Sequence, residues 1–65
     1  MKFISCEDKR ATYCINPRNI LYFSITDDGY DIYFEMVDGC LILNFQHIAD
    51  AHRTYHNIKQ QLAEA

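Results

Sequence analysis

His52 and His56 stand four residues apart in a segment of helical period, the spacing at which two imidazoles share one helix face and can grip a divalent metal. Zinc wants three or four organised ligands, and no Cys, Asp or Glu is spaced to supply the third. At about 100° per residue, His52 falls at the edge of the apolar stripe and His56 well into the polar side. The pair therefore reads as boundary and surface histidines, with no metal and no cofactor expected. Cys6, Cys14 and Cys40 together with the three histidines could in principle contain a Cys–His nucleophile pair. Nothing in the sequence brings them together or depresses a thiol pKa, and strand cysteines usually behave as small buried hydrophobes. No catalytic residue is expected. The acidic stretch Asp27-Asp28-Gly29-Tyr30-Asp31 resembles part of a calcium loop, but it lacks the twelve-residue spacing and the terminal Glu, and turn chemistry accounts for it.

The elements that carry these residues centre on Ile20 to Phe45. Val37-Asp38-Gly39-Cys40 is the strongest local signal, because Asp-Gly can supply the two positive φ values of a type I′ hairpin turn. Pairing Val37 with Cys40 puts Met36 opposite Leu41, Phe34 opposite Leu43 and Ile32 opposite Phe45. A four-residue loop, Asp27 to Tyr30, then pairs Ile25 with Ile32, Phe23 with Phe34 and Leu21 with Met36. A three-residue loop would set Ile25 against Asp31, so parity selects four. One face of the resulting sheet is wholly apolar: Leu21, Phe23, Ile25, Ile32, Phe34, Met36, Leu41, Leu43 and Phe45. The other carries Ile20, Tyr22, Ser24, Tyr33, Glu35, Val37, Cys40, Ile42 and Asn44, where a solvated sheet surface normally shows charge.

Upstream, Lys2 to Cys6 and Ala11 to Asn16 read as a hairpin tipped by Asp8-Lys9, with Glu7 opposite Arg10, Cys6 opposite Ala11, Ile4 opposite Tyr13 and Phe3 opposite Cys14. Cys6 and Cys14 are then not opposite one another, which argues against a bridge. Asn16-Pro17-Arg18-Asn19 is a turn, with φ fixed by Pro17 and the Asn16 side chain able to bond the backbone two residues on. From about Gln46 the period changes from two to 3.6. Ile48, Ala51, Tyr55, Ile58 and Leu62 form one stripe of an amphipathic helix of about five turns, with Asn44 as its candidate cap. The expected fold is α+β, a single domain over residues 1–65. Strands fall at about 2–6, 11–16, 20–26, 31–37 and 40–45, forming an antiparallel meander, and the helix at about 46–63 covers the apolar face.

The chain has 65 residues, 49% of them apolar and nine of them Tyr or Phe, which excludes a disordered or linker-like class. A domain this short buries only about 60% of its unfolded surface and generally needs a disulfide, a metal or a partner subunit. Three cysteines and no apolar run long enough for a signal peptide or membrane span point to a reducing cytosol. That leaves a partner. The expectation is a homodimer, formed by packing of the second face or by pairing of an edge strand, with Ile20, Tyr22, Tyr33, Glu35, Val37 and Ile42 as the interface and an unidentified protein as a further partner. The alternative is a small dimeric nucleic-acid-binding regulator using Lys9, Arg10 and Arg18 with the tyrosines of the second face as a stacking platform. A net charge of −3 weighs against it, since phosphate contacts dominate such affinity.

Ile15-Asn16-Pro17 followed by Ile20, then a strand, then Val37-Asp38-Gly39, an apolar strand and a terminal helix, is similar to the small FlbD-like proteins of bacteria and phages. The resemblance spans most of the chain and rests on turn-forming residues. It implies an accessory or regulatory protein without catalytic residues. This helix departs from it in carrying His and Tyr where a more acidic helix is expected.

Overall fold

Asn16 and Pro17 act as the sequence suggests. The Asn16 side chain accepts the Arg18 N–H at 3.0 Å, and Pro17 opens a 3-10 turn, Pro17–Asn19, that delivers the chain into its central sheet. The computed structural model describes residues 2–65. Its elements are β1 (Ile4–Glu7), β2 (Thr12–Ile15), β3 (Ile20–Ile25), β4 (Asp31–Met36), β5 (Gly39–Asn44) and α1 (Ile48–Glu64). All strand pairs are antiparallel, and they form two sheets, β1-β2 and β3-β4-β5. The fold is thus α+β, five antiparallel strands with one C-terminal helix, and the first hairpin stands as a sheet of its own.

The core lies between the inner face of β3-β4-β5, the helix and the first hairpin. Ile32, Phe34, Leu43, Ala51 and Ile58 are fully buried, with Ile4, Cys6, Ile15 and Phe45 nearly so. Phe23 stacks on Phe34 with ring centroids 5.5 Å apart and meets Tyr55 of the helix at 5.1 Å, so the aromatic ladder of the sheet continues into α1. Of the expected helical stripe, Ile48 is largely exposed at the first helical residue, while Ala51 and Ile58 are buried. The N-cap is His47, without a side-chain bond. Asn44 is not the cap, because it ends β5 and its amide donates to the Asp31 carboxylate at 3.0 Å.

Both hairpin registers differ from the expected ones by two residues, which preserves every face. In the first hairpin Glu7 pairs with Thr12, Cys6 with Tyr13 and Ile4 with Ile15. Asp8 widens the tip to four residues by accepting the Arg10 and Ala11 N–H groups on one oxygen, as an Asx turn does. In the second, Met36 pairs with Gly39 and Phe34 with Leu41. Among the described residues only Gly29 (φ 81°) and Gly39 (φ 151°) have positive φ, so the Val37-Asp38 loop is not a type I′ turn. Asn44 then stands opposite Asp31, its hydrogen-bond partner, where the expected register would have set it against Tyr33.

The loop between β3 and β4 has the expected four residues. Asp28 is its organiser, accepting from the Thr26 hydroxyl at 2.8 Å and the Tyr30 N–H at 3.0 Å. Those bonds, the Tyr30 N–H first, hold the Asp28 carboxyl below its ordinary range. Gly29 is buried under the start of α1, and a Cβ there would lie 3.4 Å from the Ile48 side chain, so this loop also seats the helix.

Candidate functional site

One irregularity in β3 changes the surface of the sheet. Ile20 pairs with Met36 and Tyr22 with Glu35, so Leu21 is an extra residue in a β-bulge. The bulge reverses the expected facing of two side chains. Ile20, expected on the outer face, turns inward and packs on the core, and Leu21, expected in the core, is 63% exposed. Tyr22, Tyr33, Glu35 and Ile42 lie on the outer side, and Val37 falls in the loop beyond the strands. Tyr22 is 55% exposed, Ile42 42% and Val37, in the β4-β5 loop, 64%. Tyr33 and Glu35 are half-buried between them, and the Tyr33 hydroxyl donates to the Glu35 carboxylate. That bond, then burial, then the Glu35 charge raise the Tyr33 phenol well above its ordinary pKa, so the hydroxyl remains a donor far into the alkaline range. The Tyr22 and Tyr33 rings lie 6.1 Å apart, tilted.

The outer face thus sets Tyr22, Tyr33 and Ile42 around the Glu35 carboxylate, with the hydrogen-bonded Asp31 and Asn44 side chains at one end. Neither the helix nor the first hairpin, which both pack against the inner side, covers it. Leu21 was invisible as a surface residue in the sequence, since strict alternation places it inside. Its only available signal was the run Ile20-Leu21-Tyr22-Phe23, four apolar residues in which alternation is lost.

The basic residues do not converge. Lys9 and Arg10 lie at the tip of the first hairpin, where the Lys9 N–H donates to the Asn44 carbonyl. The Arg10 guanidinium is committed to the Ile42 carbonyl at 2.9 Å and to Asp8 at 3.5 Å. Arg18 belongs to the 3-10 turn, whose Asn19 carbonyl accepts from Val37. It therefore sits at the other end of the sheet, a strand length of about 20 Å away.

His52 and His56 are exposed along α1, and no group of three or more His, Cys, Asp or Glu converges among the described residues. All three cysteines are free, and the pairing of Ser5 with Cys14 and Cys6 with Tyr13 sets Cys6 and Cys14 on opposite faces of the first hairpin. Burial first, then the nearby Asp8 and Cys14, push the Cys6 thiol up to about 11. At pH 8 only about one Cys6 in a thousand is thiolate, the reactive form. With Ellman's reagent at pH 8, the exposed Cys14 and Cys40 are expected to react promptly and Cys6 only after denaturant is added. Three thiols released at one rate would contradict the burial of Cys6.

No family model matches the chain, and no curated protein and no solved structure matches it. No helix among the described residues is long and apolar enough to cross a membrane.

Proposed function

We propose that the protein is a non-enzymatic interaction module, acting as a homo-oligomer through the outer face of its three-stranded sheet. The observation that carries this reading is the exposure of Leu21, Tyr22 and Ile42 on the outer side of the sheet, with Val37 exposed in the loop at its end, where none of the other described elements packs. Contiguous apolar surface of this kind marks interaction sites. A chain of 7.7 kDa without disulfides gains most by burying it against a second copy. The free thiols support a reducing cytoplasmic setting. The similarity of its turn phrases to the FlbD-like proteins supports a regulatory role, in a bacterium or a phage.

The test is the mass of the particle in solution. The wild-type chain is expected to sediment above 7.7 kDa at micromolar concentration. Ile42→Asp is expected to halve the observed mass while leaving the far-ultraviolet dichroism unchanged, because Ile42 is not part of the buried core. A wild-type monomer, or an Ile42→Asp particle of unaltered mass, overturns the reading.

A further inference from the structure

The two outer strands of the central sheet are treated differently. The Phe45 N–H bonds to the Tyr30 carbonyl, so by antiparallel alternation Leu43 and Leu41 turn their backbone groups to β4, and Asn44 and Ile42 turn theirs outward. The hairpin tip meets those outward groups. Asp8 accepts the Asn44 N–H at 2.9 Å, the Lys9 N–H donates to the Asn44 carbonyl at 3.3 Å, and Arg10 donates to the Ile42 carbonyl. The edge of β1 is blunted in the same way by the Gln61 side chain, which accepts from the Ser5 N–H at 2.9 Å and donates to the Ser5 carbonyl at 2.8 Å. Natural sheets commonly guard their edges with such groups or with charged side chains.

β3 has neither protection. The Thr26 N–H bonds to the Asp31 carbonyl, so Ser24 and Tyr22 face β4, and the N–H and C=O groups of Phe23 and Ile25 point away from the sheet. Those four groups have no hydrogen-bond partner among the described residues. From Ile20 to Thr26 the strand carries no charge. We propose that β3 pairs antiparallel with the β3 of a second copy about a two-fold axis at Ser24, joining two three-stranded sheets into one of six strands. In that register Phe23 of each copy faces Ile25 of the other, and all four orphan groups on each strand find partners in a self-complementary ladder. The bulge at Leu21 bounds the paired stretch to Tyr22 through Thr26.

Area points the same way. Three strands of six residues present an outer face of about 14 × 20 Å, roughly 300 Å² in projection, a small footprint for two single sheets packed face to face. Edge pairing doubles that platform and makes it continuous, so two such layers packed face to face form a tetramer with far more buried surface than two single sheets. The edge contact is independent of the face contact proposed above and is distinguishable from it.

Hydrogen–deuterium exchange resolved by residue, on Ile42→Asp over a range of protein concentrations, tests it. The Phe23 and Ile25 amides are expected to exchange at least about tenfold more slowly at high concentration than on dilution. Adding Ser24→Lys, at an exposed position, sets two ammonium groups opposite each other across the two-fold axis. This is expected to abolish that protection and give a monomer with unchanged dichroism. Phe23 and Ile25 amides whose exchange does not depend on concentration overturn the edge contact, whatever the mass. If only the face reading fails, Ile42→Asp leaves the wild-type mass unaltered while these two amides remain protected.

Discussion

Phe34→Ala is expected to leave the chain largely unfolded at 37 °C. Phe34 is among the fully buried residues and has the largest side chain of them. It pairs with Phe23 and Leu41 on the neighbouring strands and stacks on the Phe23 ring, which in turn meets Tyr55 of the helix. Truncating a buried Phe costs about 3–5 kcal/mol, the lost transfer free energy plus a cavity that the surroundings only partly close. A domain of this length has about 3–10 kcal/mol in total. No disulfide is present to limit the loss. Phe34→Leu keeps most of the volume and is expected to cost about 1.5 kcal/mol or less. Urea titrations followed by dichroism separate the three proteins, and an Ala variant with the wild-type midpoint would show that the sheet–helix interface is not the source of stability.

How much of this was legible in the sequence follows from which errors parity forgives. A two-residue slip in either hairpin keeps each side chain on its face, so Ile4, Cys6, Phe34 and Leu43 come out buried although their partners differ from those expected. The β-bulge in β3 is a slip of one, and it alone moved residues between faces, exchanging Ile20 for Leu21. A bulge leaves little trace where four apolar residues run together, because either alternation satisfies the pattern. The Asp38-Gly39 signal misled in register for a related reason. A dipeptide that permits a type I′ turn does not compel one, and the register adopted sets Asn44 opposite Asp31, thirteen residues away, where its amide finds a carboxylate.

The outer face was legible as a face because the chain has one helix for two sides of a sheet. Its chemistry was not. That Tyr33 donates to Glu35, two residues on along the same face, is a matter of rotamers that spacing permits without selecting. Nor could the sequence show that Arg10 is spoken for. As a member of Glu7-Asp8-Lys9-Arg10 it reads as a solvated tip, and only the packing of that tip against β5 turns Asp8 and Arg10 into edge caps. The difference between the guarded β5 edge and the open β3 edge is long-range for the same reason.

Asp8 is where that long-range contact is strongest, and Asp8→Ala is expected to cost about 3 kcal/mol at pH 7. Its side chain is wholly shielded from solvent. One oxygen accepts the Arg10 and Ala11 N–H groups at 2.9 and 3.0 Å, and the other accepts the Asn44 N–H at 2.9 Å. Removing the carboxylate leaves three donors without a partner. Arg10 and Ala11 are exposed and can turn to water, so each loses only about 1 kcal/mol, whereas the half-buried Asn44 amide costs more. Burial by itself would raise the Asp8 pKa. The bonds from Asn44, Arg10 and Ala11, with the Arg10 charge, outweigh it and hold the carboxyl below its ordinary 3.8. A depressed pKa in the folded state means that this stabilisation is complete above 3.8 and is lost as the pH falls through the folded value. Stability is therefore expected to be level from neutral pH to about 5 and to decline below about 4, with Asp28 contributing to the same acid limb. Asp8→Asn, which cannot ionise, is expected to start less stable and to show a shallower acid limb than the wild type. Urea midpoints of the two proteins at pH 7 and pH 3 measure both effects. Parallel acid limbs would mean that the Asp8 charge is not what ties the hairpin tip to β5.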